Sequence, residues 1–516
     1  RLAVDELGKA ADHAHRNALQ AGRRAAELWP EGVDDDGHLA LLECLGTSAL
    51  VCGELAEAAG AWRELAERRR LLGQDGGFAE AQRQLATTYE LQGAFERALI
   101  ARRQAGAAFA AGGRPGDAAA ELLSAAAHLD SAGHLAAALE LVGEARERAD
   151  DAERVDLRAR AMGIEGTVRA KLGEIDEALA AARGALELAL GENLDTPAAD
   201  AYQRVANVLE NASDYRAAWD AYQAGFDFCE SREMHAGAQV CLVCLAFILL
   251  HTGEWDRALA IDRAILASPH SPVGTRMGAK QHIGLIGAAR GEVKRSRRLL
   301  NESGAFAARY TRQRMEVWDA LGQGWVDELE DQVDVALDRC RFILVRWGES
   351  ESLHYPVPAL RWATTCCATH SDGEGAHACA EALAGMAHNT ANAEARAGLA
   401  HALGETTLID GDADRACAHF ERGLVVLREI ELITLTPAIR EQYSIRSRQG
   451  AVVNRVSDRV KEQIGIQSGD VIVQINRVPI PDAEAVQRIL TSYGRGGLRM
   501  YFERGGQVYA TEFSFN

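Results

Sequence analysis

The sequence predicts a mainly α protein, an α-solenoid of about ten or eleven helical hairpins ended by a small α+β domain. Three observations carry that expectation. A pattern with a period of about forty residues runs through most of the chain. Proline is scarce, ten in 516 residues, and aromatics make up 6%, which favours helix over sheet. From about Gln449 the pattern gives way to Gly and β-branched residues with a period near two.

The repeating pattern is a Gly or small polar residue, an apolar residue two places on and a small one five places on. It reads Gly53-Glu54-Leu55…Ala58, Gly93-Ala94-Phe95…Ala98, Gly133-His134-Leu135…Ala138 and Gly173-Glu174-Ile175…Ala178. It continues as Ser213…Tyr215…Ala218, Gly253-Glu254-Trp255…Ala258, Gly291-Glu292-Val293…Ser296 and Asp331…Val333…Ala336. Weaker copies are read at Gly373…Ala378 and Gly411-Asp412…Ala416, and a degenerate one at His13…His15…Ala18. Residues 198–210 show one unit: Tyr202, Val205, Ala206 and Leu209 share a helical face, and 211–214 are turn formers. A second helix then starts at Tyr215, with Ala218, Tyr222 and Phe226 on its apolar side. The recurring Ala is small because two helices approach closely only where side chains are short. Pro115, Pro197, Pro272 and Pro356 fall between units, where a helix starts afresh.

Composition excludes several functions. Net charge is −19, and no basic stripe is dense enough to neutralise a phosphate backbone, so no direct nucleic-acid binding is expected. The longest apolar run, Val240 to Leu250, falls short of the ~20 residues a membrane helix needs and reads as a buried helix. Nothing resembles a signal peptide, while the start at Arg1 rather than Met leaves a trimmed leader open. Ten cysteines lie scattered without disulfide-like spacing; Cys44, Cys241 and Cys244 read as helical core positions, and a cytoplasmic location is expected.

The closing segment is strand-like at Ala451–Val456, turns at Gly465–Gly469, and continues as a strand through Asp470-Val471-Ile472-Val473-Gln474-Ile475-Asn476. An amphipathic helix over Asp482–Ser492 and two strands, Leu498–Glu503 and Gln507–Phe515, complete it. With ten basic and eight acidic residues in 441–516, the net negative charge sits on the helical part.

The forty-residue units resemble tetratricopeptide (TPR) repeats in their longer form, over residues 1 to about 435, which implies a right-handed superhelix. Phrases such as Lys171-Leu172-Gly173-Glu174-Ile175-Asp176-Glu177-Ala178-Leu179 are similar to the helical domain of large bacterial LuxR-type ATP-binding regulators. No Gly-x-x-x-x-Gly-Lys-Ser/Thr phosphate loop is present, and Leu435 to Glu441 does not continue as a helix-turn-helix. The segment 449–516, behind a linker at 436–448, resembles a PDZ domain of the HtrA-protease type, with Gly469-Asp470-Val471-Ile472-x-x-Ile475-Asn476 as its most specific phrase. That resemblance implies strand addition of a peptide, with Val486, Ile489 and Leu490 on the groove helix. It places the carboxylate loop at Tyr443-Ser444-Ile445, which lacks the family's Gly and leaves the groove strand short.

Candidate chemistry is thin. Cys366-Cys367-Ala368-Thr369-His370 with His377 and Cys379 is the most metal-like cluster, but it has no Cys-x-x-Cys pair and reads as core and turn residues. Asp410-Gly411-Asp412-Ala413-Asp414 with Glu421 mimics a calcium loop whose required Gly is replaced by Arg415. Cys241-x-x-Cys244 reads as a buried structural pair, and Asp12-His13-Ala14-His15 as a solvated turn. Trp362 and Tyr202 read as seam packing. No catalytic motif appears. The expectation is therefore a non-enzymatic adaptor for protein or peptide ligands, without metal or cofactor. Two alternatives are a signalling regulator's sensor segment, with a small-molecule effector, and a regulatory fragment of an HtrA-like protease system.

Overall fold

A computed structural model describes residues 2–29, 36–390, 392–426, 430–436, 439–440, 445–456, 461, 464–476, 478–483, 485–486, 489 and 497–514. The chain divides into two compact units, Arg1–Ala416 and Cys417–Asn516.

The first unit opens with α1 (Leu2–Glu27). Nine helical hairpins follow. Their first helices are α2 (Asp36–Val51), α4 (Asp75–Gln92), α6 (Pro115–Ala132), α8 (Val155–Lys171), α10 (Asp195–Asn211), α12 (His235–His251), α14 (Val273–Ala289), α16 (Gln313–Leu329) and α18 (Val357–Thr369). Their second helices are α3 (Leu55–Leu71), α5 (Phe95–Ala111), α7 (Leu135–Asp151), α9 (Ile175–Gly191), α11 (Tyr215–Ser231), α13 (Trp255–Ala267), α15 (Val293–Arg309), α17 (Val333–Gly348) and α19 (Gly373–Asn389). Next come α20 (Ala393–Ile409) and, past Gly411, α21 (Ala413–Val426), which begins in the first unit and continues into the second. This is a TPR-like repeat array. No helix among the described residues is long and apolar enough to cross a membrane.

The hairpin has two equal halves. From Leu135 to His251 helices of 17 residues alternate with three-residue turns. Each turn passes through left-handed backbone, at Gly133, Glu153, Gly173, Asn193, Ser213, Glu233 and Gly253. Glu174 N–H bonding Arg169 C=O at 3.0 Å closes one of them, a Schellman-type reversal that satisfies a helix-end carbonyl. Only the turns within hairpins are visible in the repeating pattern; those between hairpins are often not glycine.

The small residue of each repeat sits where two helices touch. Ala58, Ala98, Ala138, Ala178, Ala218, Ala258, Ser296, Ala336, Ala376 and Ala416 are at most 1% exposed. At the α8/α9 crossing, a Cβ built on Gly166 would stand 2.8 Å from the Ala178 carbonyl oxygen. The residue two after the turn, such as Phe95 or Trp255, is half-buried at the seam. Pro115 and Pro197 lie in the first turns of α6 and α10, and Pro272 and Pro356 precede α14 and α18.

Three local expectations are corrected and one turn is as expected. The ninth hairpin turns at Ser371, so its small residue is Ala376 rather than Ala378. Residues 12–15 lie inside α1 and make no turn. The segment 410–414 is the inter-helix turn that the missing Gly at Arg415 favours over a calcium loop: Asp412 accepts the Arg415 N–H at 3.0 Å and caps the helix start. Cys44 is exposed rather than a core thiol, while Cys241 is buried.

The second unit contains an antiparallel sheet, ordered β1 (Ile430–Thr434), β2 (Ala451–Val456), β3 (Val471–Ile475), β5 (Gly497–Arg504), β6 (Gln507–Ser514), with β4 (Val478–Pro479) paired to β3. The sheet thus takes in Ile430–Thr434, upstream of the expected linker 436–448, because β1 pairs along β2 from Ile430↔Val456 to Thr434↔Ala451. Its core joins Ala451, Val453, Ile472, Met500 and Phe502 to Val486. The Gly469-Asp470 turn has a physical reason: Asp470, 1% exposed, accepts the Gln467 N–H at 2.7 Å and both Arg504 donors at 2.7 and 2.6 Å.

Replacing Ala178 by Leu forces extra methylenes into the α8/α9 contact. The Ala178→Leu chain is expected to lose about 1–3 kcal/mol of unfolding free energy, read by urea titration with circular dichroism. Unchanged stability would show that the crossing does not require a small residue.

Candidate binding surfaces

The helical unit coils back onto itself. Contacts join residues separated by 141 to 218 positions. Turns inside the early hairpins meet the loops that precede α16, α18 and α20. Arg309 donates to Leu91 C=O (2.9 Å) and Arg312 to Ser131 Oγ (2.8 Å). The Glu351 N–H reaches Gly133 C=O (3.1 Å), and its carboxylate accepts the Ala136 N–H (2.6 Å). The Leu353 N–H bonds Lys171 C=O at 2.9 Å. Two turn glycines are therefore needed twice over, for left-handed backbone and for closeness. A Cβ on Gly93 would lie 2.2 Å from Arg309 C=O, and one on Gly133 2.2 Å from Gln313 Oε1.

At the fifth hairpin the turn residue is Ser213, and its hydroxyl replaces closeness with hydrogen bonds. Asn392 Nδ2 donates to Ser213 Oγ (2.9 Å) and Asn211 C=O (3.0 Å), while Asn392 Oδ1 caps α20 through the Ala395 N–H. His354 Nε2 lies 3.3 Å from Ser213 Oγ and 3.1 Å from Glu394 Oε2. The same carboxylate accepts Tyr215 O–H at 2.8 Å. Tyr215 stacks on His251, which also meets Phe247 and Trp318 edge-on.

Between the stacked coils lies a cavity of about 510 Å³, lined mainly by first helices of the hairpins. Asn207, Gln203 and Gln281 offer amides; Val240, Val243, Phe247 and Phe306 offer apolar surface. The charges lining it include three prepaired couples: Lys171–Asp130 (2.6 Å), Arg204–Asp200 (2.9 Å) and Arg314–Glu210 (2.7 Å). Such a chamber can hold and orient a molecule.

The second candidate surface is the sheet edge in the second unit. Among the described residues β1 pairs only with β2 and forms the sheet's end. Ala483, opening the helical turn that carries Val486 and Ile489, donates its N–H to Thr434 Oγ1 at 3.1 Å. Leu432 and Ile489 are half-buried against the core, whereas Val486 is fully buried within it. Ile445 packs instead with Leu435, Val452 and Val471, side chains that alternate with Ala451, Val453 and Ile472 along their strands. It therefore sits on the opposite sheet face from Val486 and Ile489, so the groove expected to join these residues is not shared by Ile445, and the sheet edge is β1. Tyr443, Ser444 and Leu490 lie outside the described residues. The signal for β1 was present in Ile430-Glu431-Leu432-Ile433-Thr434, an alternating run hidden by its place directly after a helix.

The cysteine cluster is partly assembled. Cys366, Cys367, Cys340 and Cys379 are buried in one core, whereas His377 is on the surface, 3.5 Å from Asp410.

No protein-family model matches this chain, and no curated protein matches it. Solved structures resemble it at low identity. A Rap protein complexed with competence and sporulation factor is 13% identical with a TM-score of 0.39, covering 80% of this chain and 99% of that one. A tetratricopeptide repeat protein from Parabacteroides merdae is 14% identical with a TM-score of 0.32, covering 58% and 98%. Aspartyl phosphate phosphatase F from Bacillus subtilis is 12% identical with a TM-score of 0.40, covering 63% and 88%.

The coil contact carries a pH dependence. Burial pushes the His251 imidazole down to about 4, so between its ordinary value near 6.5 and 4 the unfolded chain takes up the proton first. Burial would raise the Glu394 carboxyl, yet hydrogen bonding to His354 and the nearby His251 bring it to about 2. Its stabilisation is full above the ordinary value of 4.5 and is lost as pH falls towards 2. Both groups weaken the fold in acid. Glu394→Gln is expected to lower Tm at neutral pH and to shrink the Tm loss below pH 4.5; parallel Tm–pH curves would refute the assignment.

Proposed function

We propose that this protein is a non-enzymatic interaction scaffold. Its helical repeats take a protein or peptide partner, and its small β unit takes an extended or C-terminal peptide by strand addition. The open edge of β1 is the observation that supports this reading most directly. An edge strand offers unpaired N–H and C=O groups to an incoming chain, and a neighbouring helix gives its side chains something to pack on. Here the helical turn bearing Ile489 lies beside that edge, tied to it through Ala483 and Thr434. The strand order and this helix support reading the β unit as PDZ-like.

A second reading has its own observation. The cavity of about 510 Å³ falls within the size range of small-molecule sites and is partly open to solvent. It favours a small-molecule effector bound in the helical unit, as in the sensor segment of a LuxR-type regulator.

The test of the first reading is selection of C-terminally diverse displayed peptides on the full chain, followed by titration of the winners. Ile489→Asp is expected to weaken them at least about tenfold, about 1.4 kcal/mol, with the helical signal unchanged. Recovery of no peptide, or equal binding by the variant, would remove strand addition from the reading.

A further inference from the structure

The seam between the eighth and ninth hairpins holds a donor set that the sequence reading assigned to core and turn. Cys366 and His370 are four residues apart, one in the last turn of α18 and the other at its C-cap, and Glu328 comes from the last turn of α16. Their donor atoms, one from each side chain, lie within 4.8 Å of one another. We propose that Glu328, Cys366 and His370 form a zinc site with three protein ligands and solvent in the fourth position.

Three features support it besides proximity. His370 Nε2 stands 3.7 Å from Glu328 Oε1, beyond hydrogen-bond reach. Two ligands bound at about 2.0–2.1 Å to one tetrahedral ion are about 3.4 Å apart, so an ion spans that gap where a proton does not. The other Glu328 oxygen accepts Trp362 Nε1–H at 2.8 Å, the outer-shell bond that fixes a ligating carboxylate's orientation. The sulfur lies at the buried end and the other two ligands at the wet end. Cys366 is 1% exposed, while the Glu328 and His370 side chains are 30% and 24% exposed, leaving an approach for the ion. Soft sulfur, imidazole and one carboxylate is a set suited to zinc rather than to calcium or magnesium. Binding converts the Cys366 thiol to thiolate and releases one proton to solvent, with no redox change. The ion would join the hairpins flanking the loop 349–356, whose Glu351 and Leu353 dock on Gly133 and Lys171.

The probe is cobalt(II) titrated into the reduced full chain carrying Cys44→Ser and Cys417→Ser, which removes the two exposed thiols. One equivalent is expected to give a thiolate-to-cobalt charge-transfer band, displaced by one equivalent of zinc, with Tm raised by the metal. Cys366→Ala should abolish the band, and His370→Ala and Glu328→Gln should weaken binding about 10–100-fold. Apo-state circular dichroism of each variant separates lost binding from lost folding, and a misfolded His370→Ala is replaced by His370→Gln. Cys340→Ala removes a neighbouring core thiol that is outside the triad and should keep the band. No band at one equivalent, a band that survives Cys366→Ala, or a band lost in Cys340→Ala would each overturn the assignment.

Discussion

From Leu135 to His251 the helical unit depends on a three-residue turn that passes through left-handed backbone every twenty residues. Because the helices between turns are 17 residues long, each one begins on the same angular setting as the helix two before it. The small residue five places past a turn therefore always arrives at the crossing point, and the half-buried apolar residue at the seam. The cost is left-handed backbone at Glu153, Asn193 and Glu233, which glycine would relieve and which packing on both sides sustains.

That periodic constraint also explains why the coil can close on itself. Identical spacing places successive turns along one edge, at regular intervals, facing the loops one superhelical turn later. Gly93 and Gly133 leave no side chain there, so backbone meets backbone or amide directly. Ser213 breaks the series and the structure answers with Asn392, His354 and Glu394, a polar joint in place of a steric one. Buried polar groups of this kind hold only when each is partnered, which ties the orientation of one coil to the next.

The sequence made the local unit legible and left the long-range closure hidden. Gly53, Gly93, Gly133 and Gly173 announce the turn inside each hairpin because left-handed backbone selects glycine. Between hairpins Gly73 and Gly113 serve the first two turns, but later ones are filled by Glu153, Asn193, Glu233 and Thr311, which carry no compositional signal. Contacts about 180 residues apart depend on superhelix geometry that no local period encodes. In the β unit the Gly469-Asp470 turn was readable because Asp470 has a local cap to make. The edge strand β1 was not, since five alternating residues after a helix look like its frayed end. The same limit hid the metal-like triad: Cys366 and His370 are visible as an i, i+4 pair, but Glu328 joins them only through the packing of α16 on α18.

The thiols of the ninth hairpin show how a repeat frame can acquire chemistry without disturbing its fold. Cys379 follows Ala376 by three, and Ala61 and Ala101 hold that position after Ala58 and Ala98 in other hairpins; all three are small and buried. Cysteine is therefore acceptable there as a compact apolar residue. Packing alone gives no reason for Cys366 to meet an imidazole and an oriented carboxylate, however. Those two arrive because helix α18 ends four residues later, exposing His370 at its C-cap, and because Glu328 is held by Trp362 of that same helix. The solenoid thus supplies a buried sulfur from its seam and polar donors from its helix ends.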